Sequence, residues 1–250
     1  MRTIAFLNQK GGTAKSVSCA TFVRCLAAEH GKRVLCIDAD FQGSLSQYFG
    51  VKADGCTTWE LLTEGAGYYP EFISRSEDGI DLIPADMTLA RADMPKAPVK
   101  VGNMAELIET MAGDDAYDFC LIDCHPYLGV ITQAVLMAAD EVIIPIRLDL
   151  FSTDGMGELL RQVKDMRSIN PKLRVSGILC TQYLNTKDER ELHRELKEHL
   201  GLPVFDQMIR MSPPVIRSVN QHKSIFEVSP RSGAALDYRC AVLEYLEEVY

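Results

Sequence analysis

Residues 8–18 read NQKGGTAKSVS and lie between the apolar run TIAFL (residues 3–7) and CATFVRCLAAEHG (residues 19–31). A glycine-rich turn that leaves a buried strand and opens a helix offers backbone N–H groups and the positive end of the helix dipole to an anion. The common phosphate-loop spacing G-x-x-x-x-G-K-[ST] places glycines at positions 9 and 14. Gln9 and Ala14 stand there instead, and an additional lysine, Lys10, precedes Gly11 and Gly12. The two glycines let the backbone wrap closely around phosphate oxygens. Lys15 suits neutralisation of β- and γ-phosphates, and the Ser16 hydroxyl suits ligation of magnesium. Ala14 adds one methyl group to the usual glycine, which is expected to be tolerated with a negative φ. A glycine-rich turn opening a helix is common, so the loop alone does not separate a nucleotide site from a chance match.

Outward from the loop, short apolar runs alternate with helix-period segments. Strands are predicted at TIAFL, RVLCID (33–38), GIDLIPA (79–85), YDFCLID (117–123), EVIIPI (141–146) and LRVSGILC (173–180). Helices are predicted over residues 15–30, closed by Gly31, and over 103–113, 132–140, 153–170, 188–201 and 233–250. Strands alternating with helices imply a mostly parallel α/β sheet covered on both faces. Residues 50–100 are the least regular part and read as a loop-rich insertion. With no repeat, low-complexity tract or long linker, residues 1–250 are expected to form a single domain.

Two further segments belong to the loop's story. VLCIDADFQGS (34–44) ends a strand with Asp38 and Asp40, two residues apart and therefore on the same side. YDFCLIDCHP (117–126) ends another with Asp123, the placement of a carboxylate that holds a magnesium-bound water. Ligands of open parallel sheets bind at the carboxyl ends of the strands. Each aspartate alone could cap a following helix, but three beside a lysine-rich glycine loop weigh against that reading.

Composition bounds the rest. No apolar run approaches the ~20 residues of a membrane span, and the few apolar residues before NQKGG are not a secretory signal, so a cytoplasmic protein is expected. Eight cysteines show no C-x-x-C pair and no zinc spacing and are expected to act mostly as small hydrophobes. The net charge of −9 opposes nonspecific binding of nucleic acid by the molecule as a whole. It is uneven, however. Residues 1–150 hold 12 Lys/Arg against 21 Asp/Glu, and residues 151–250 hold 14 of each. Residues 210–239 carry Arg210, Arg217, Lys223, Arg231 and Arg239 against Glu227 and Asp237, a local +3.

KGGTAKS, VLCIDADFQGS, YDFCLIDCHPYLG, ADEVIIPIRLDLFSTDG and SIFEVSPRSGAALDY occur in an order and spacing that resembles the ParA/MinD family of deviant Walker P-loop ATPases, most of all its ParA (Soj-like) partition members. The similarity covers essentially the whole chain. It implies slow hydrolysis of ATP to ADP with Mg²⁺, in a homodimer that sandwiches two nucleotides. Lys10 matches the signature lysine that reaches across to the other subunit's phosphates. Lys10, Gly11, Gly12, Thr13, Ala14, Lys15, Ser16 and Val17 fall on the phosphate loop, with Lys15 on the phosphates and Ser16 on the metal. Asp38 and Asp40 match the acidic pair after the second strand, with Asp40 orienting the attacking water. Asp123 matches the Walker B aspartate, and Asp38, Asp123 and Ser16 surround the metal. Adenine is expected against residues 181–183 and 209–213, the latter bounded by Ile209 and Pro213.

The resemblance also implies nonspecific DNA binding by the ATP dimer, through Arg217, Lys223 and Arg231 in the basic segment, a nucleoid-associated location, and a ParB-like centromere-binding partner that stimulates hydrolysis. No helix-turn-helix extension precedes RTIAFL, so no operator binding is expected. Departures from the family pattern are Ala14 for glycine, Phe41 for proline and His125 for the first proline of a DCPP motif; they bear on hydrolysis more than on binding. His125 reads as a loop residue near the phosphates in preference to a catalytic base. A MinD-like membrane switch would need a basic amphipathic C-terminal helix, whereas this chain ends LEYLEEVY. An iron–sulfur carrier would need clustered cysteines. A ParA-like regulatory ATPase that positions a conjugation, secretion or other cargo complex stays open.

Overall fold

The computed structural model describes residues 1–65, 67–148 and 156–249. A seven-stranded sheet runs through it in the order β3-β4-β2-β5-β1-β6-β7. The strands are β1 (Arg2–Phe6), β2 (Val34–Ala39), β3 (Ser74–Arg75), β4 (Asp81–Ile83), β5 (Phe119–Cys124), β6 (Glu141–Arg147) and β7 (Arg174–Thr181). All neighbours are parallel except the two-residue edge strand β3, which is antiparallel to β4.

Continuous apolar runs make these strands because both faces are covered. Along β1 and the residue after it, Ile4 and Phe6 point to one layer while Ala5 and Leu7 point to the other; Cys36 and Leu121 join the first, and Leu35, Ile37, Cys120 and Ile122 the second. The first layer is closed by α1 (Lys15–Ala28) and α10 (Gly233–Val249), with Phe22, Val23 and Leu26 packed among Tyr238, Val242 and Tyr245. The second is closed by α3 (Thr58–Glu64), α4 (Asn103–Gly113), α5 (Val130–Ala138) and α6 (Met156–Met166). The remaining helices are α2 (Ser44–Tyr48), α7 (Lys187–His199), α8 (Pro213–Asn220) and α9 (Ile225–Val228).

The sheet is therefore the expected α/β one, but residues 50–100 are not an insertion. β4 pairs directly with β2, and Leu61, Leu62, Phe72 and Leu89 belong to the main core. Two short 3₁₀ helices, Tyr69–Phe72 and Met87–Asp93, give that segment its irregular pattern while still burying its apolar residues. Residues 149–155 lie outside the described residues, including the first three positions of the helix expected at 153–170 and part of the ADEVIIPIRLDLFSTDG motif. Tyr250, the last position of the helix expected at 233–250, does too. None of the described helices is long and apolar enough to cross a membrane.

Candidate functional site: a phosphate loop and three strand-end carboxylates

β1 ends at Phe6 and α1 begins at Lys15, so the intervening loop stands at the carboxyl edge of an interior strand, between β5 and β6. It is tied down from within and from the side. Asn8 Nδ2 donates to the Pro145 carbonyl at 2.7 Å, and its Oδ1 accepts from Lys10 N–H at 3.0 Å. Thr181 Oγ1 donates to the Thr13 carbonyl at 3.0 Å, and Gln182 Nε2 to that of Gly12. A Cβ built on Gly11 or Gly12 meets nothing within 4 Å, so the loop faces open space, and Gly12 has φ +74°. Ala14 corrects an expectation: it caps α1 in the left-handed region, φ 59° and ψ 32°, and not with a negative φ. The turn needs the conformation that glycine adopts freely, and here an alanine is held in it.

Lys15, Asp38, Asp40 and Asp123 are gathered behind the loop, all buried. Asp38 and Asp123 are register partners on adjacent strands β2 and β5, so their carboxylates share the sheet edge. Asp38 is fully engaged with protein: its oxygens accept from Ser46 N–H (2.8 Å), Ser46 Oγ–H (2.7 Å) and Asp40 N–H (3.1 Å). Burial pushes its carboxyl up to about 7 against those hydrogen bonds. Asp40 Oδ1 accepts from Gln42 N–H at 2.9 Å. Asp123 is wholly buried, and among the described residues neither of its oxygens has a well-formed hydrogen bond, the Ser16 hydroxyl being its near neighbour. Burial, then the Asp38 charge, push its carboxyl well up, opposed by the nearby Ser16 hydroxyl and Lys15. Lys15 Nζ donates back to the Lys10 carbonyl at 3.3 Å. Burial draws its ammonium down from lysine's ordinary value, with Asp123, Cys124 and Asp40 opposing.

An orphaned buried carboxylate beside a hydroxyl and a lysine calls for a cation. Among the described residues no group of three or more His, Cys, Asp or Glu side chains could hold a metal ion, so no all-protein cage is built. Of the three residues expected around the metal, Asp38 has both oxygens taken by Ser46 and by Asp40 N–H. That leaves Ser16 and Asp123 as the sparse donor set that suits Mg²⁺, an ion that keeps several waters and takes other oxygens from phosphates. These residues fit magnesium. All eight cysteines are free and six are buried.

Beyond the loop opens a mostly apolar cavity of about 370 Å³, lined by Gly12, Ala14 and Val17 on one side and Thr181, Gln182, Ile209, Met211 and Val215 on the other. It brings the loop together with the two late segments expected to hold adenine. Ile209 lines it, while Pro213, between the lining residues Ser212 and Val215, does not. Sequence reading missed the contributions of Val219 and Asn220 from α8 and of Tyr238 from α10. Ser212 followed by two prolines was a usable signal for α8, since proline favours the first helical turn; Tyr238 carried none.

His125 lies in the loop between β5 and α5. Its Nδ1 accepts from Tyr127 N–H at 3.1 Å, its Nε2 faces Asp40 Oδ1 at 3.8 Å, and its ring stacks on Phe41 at 4.2 Å between centroids. Burial lowers its basicity, with Asp40 opposing. Of the five basic residues in 210–239, Arg210 pairs with Asp237 and Arg239 with Glu29. Arg217, Lys223 and Arg231 are exposed, and among the described residues no acid pairs with them.

Comparison with known proteins agrees with this geometry. A family model described as an AAA domain matches residues 1–175. The chain is 32% identical over 221 residues to the chromosome partitioning protein ParA of Caulobacter vibrioides, spanning 84% of this chain and 80% of that one. It is 31% identical over 251 residues to the chromosome-partitioning ATPase Soj of Thermus thermophilus, spanning 100% and 97%. The structure of cobyrinic acid a,c-diamide synthase from Mycobacterium smegmatis, with a bound ATP analogue and magnesium, matches with a TM-score of 0.82 at 30% identity, covering 100% of this chain and 95% of that one.

Proposed function

From the premise that this chain belongs to the ParA/MinD family and is a ParA-like ATPase, we propose that it is an ATP-dependent dimerising switch that binds DNA without sequence preference and partitions or positions it. Residues 1–250 act in this reading as one ATPase domain. The observation that carries the nucleotide site is the buried Asp123 carboxylate, without a well-formed hydrogen bond among the described residues, set behind an open loop that ends in Lys15 and Ser16.

In phosphoryl transfer the protein contributes positioning and charge, and little covalent chemistry. Lys15 would meet the β- and γ-phosphates from within its own subunit, and Lys10 those of the other. Ser16 and Asp123 would hold Mg²⁺, which when bound offsets charge on the phosphates. Asp38, fixed by Ser46, supports the turn that carries Asp40, and Asp40 orients the water. The apolar cavity between Val17 and Ile209 is the place for the base. Since Lys10 completes the partner's site, ATP promotes association and hydrolysis releases it. Hydrolysis is slow until a ParB-like partner stimulates it.

Co-sedimentation with DNA in ATP, ADP or no nucleotide tests the switch. Retention with ATP alone is expected. Equal binding in all three conditions, or none in any, would remove DNA from the reading and leave a cargo complex of another kind.

A further inference from the structure

Phe41 and His125 come from different strand-end loops, 84 positions apart, yet their rings lie 4.2 Å apart with planes 32° from parallel. Tyr127 N–H fills His125 Nδ1. A neutral imidazole whose Nδ1 accepts must carry its proton on Nε2, and Nε2 is the atom that faces Asp40 Oδ1 at 3.8 Å. That same oxygen accepts from Gln42 N–H, whereas among the described residues no hydrogen bond reaches Asp40 Oδ2. One carboxylate oxygen is thus anchored and the other left for a further donor. We propose that His125, its ring held by Phe41, is a positioning residue for hydrolysis, fixing Asp40 so that Oδ2 is presented to the attacking water.

The inference rests on the role given above to Asp40. A carboxylate free to rotate about its Cβ–Cγ bond places a water poorly, and a 1 Å misplacement can cost about a hundredfold in rate. The 3.8 Å separation is longer than a hydrogen bond, so the contact tightens only by a small shift of the 125–129 loop or of Asp40.

The test is ATP turnover under saturating MgATP, with KM and melting temperature measured alongside, for His125→Leu, His125→Gln, Phe41→Ala and Phe41→Tyr. His125→Leu should lower kcat by roughly ten- to a hundredfold with KM for ATP unchanged. His125→Gln, which keeps an N–H at similar reach, should restore most of it. Phe41→Ala should lose a smaller part, and Phe41→Tyr, which keeps the stack, almost none. In an Asp40→Ala background His125→Leu should cost nothing more. Full turnover in His125→Leu, a change confined to KM, no recovery in His125→Gln, or an undiminished loss beside Asp40→Ala each overturns the proposal. If the wild-type protein itself fails to hydrolyse ATP, the ATPase reading falls and takes this one with it, an outcome distinct from all the others.

Discussion

At the scale of single residues, Asp123 is the position where, in the proposed reading, folding and function conflict. A buried polar group without a partner costs about 1–3 kcal/mol. Burial, then the Asp38 charge, push this carboxyl up, so the charged form is the one that folding disfavours. Asp123→Asn should therefore raise the stability of the nucleotide-free form only by about 1 kcal/mol, seen as a higher melting temperature. The same variant should lose most of the further rise that MgATP produces by mass action. Calorimetry with and without MgATP checks both halves; a variant less stable than wild type without ligand would mean that Asp123 has a protein partner after all. The two lysines divide in another way. Lys15 is 8% exposed and lies beside the acids, whereas Lys10 is half-buried at the loop's rim. Lys15→Ala should lose ATP affinity within the monomer. Lys10→Ala should keep ATP binding and remain monomeric by light scattering; a normal ATP-dependent dimer in that variant would refute the cross-subunit role.

At the scale of elements, the start of α1 carries a backbone cost. A non-glycine residue in the left-handed region is disfavoured by about 1–2 kcal/mol, and Ala14 has φ 59° at the N-cap with no side-chain capping bond. Glycine would remove that cost but add freedom to the unfolded chain, about 0.4–1 kcal/mol in the other direction. Ala14→Gly should therefore stabilise by about 0.5–1 kcal/mol, read from denaturant unfolding, with ATP affinity retained. A destabilised Ala14→Gly would show that the methyl group, which lines the apolar cavity, packs better than the geometry suggests. The alanine at position 14 argued against this left-handed cap, although the glycine that the common loop spacing puts there pointed toward it. The long elements were legible because their apolar periods are strong: residues 103–113 were expected as a helix and form one with those bounds. α3 had a readable signal in Thr57 and Glu60, whose capping box starts it. β3, two residues at an edge, is too short to carry any period. The strand-end acids could be read because their chemistry is local to each strand end. The Phe41–His125 stack could not, since only the pairing of β2 with β5 brings those loops together.

At the scale of the whole molecule, a chain of net charge −9 repels DNA, so DNA binding requires a local patch. The structure narrows the candidates. Arg210 and Arg239 are spent on Asp237 and Glu29, contacts that fasten α10 to the residues after β7 and to the end of α1. Arg217, Lys223 and Arg231 stay exposed and unpaired among the described residues. α8 joins this patch to the apolar cavity: Val215, Ile216, Val219 and Asn220 line the cavity, and Arg217 is carried on the same eight-residue helix. In the proposed switch a dimer would set two such patches side by side, and DNA affinity would then depend on ATP. Each phosphate contact releases counterions, and affinity falls with salt at a log–log slope of about −0.9 per contact on B-DNA. Arg217→Glu with Arg231→Glu should lower DNA affinity for all sequences alike and flatten that slope by roughly one per lost contact in each subunit. ATP turnover without DNA should stay close to wild type, because neither residue lines the cavity or the loop. Unchanged DNA affinity in the double variant would move the surface elsewhere, and loss of ATP binding would mean that these arginines serve α8 and the cavity.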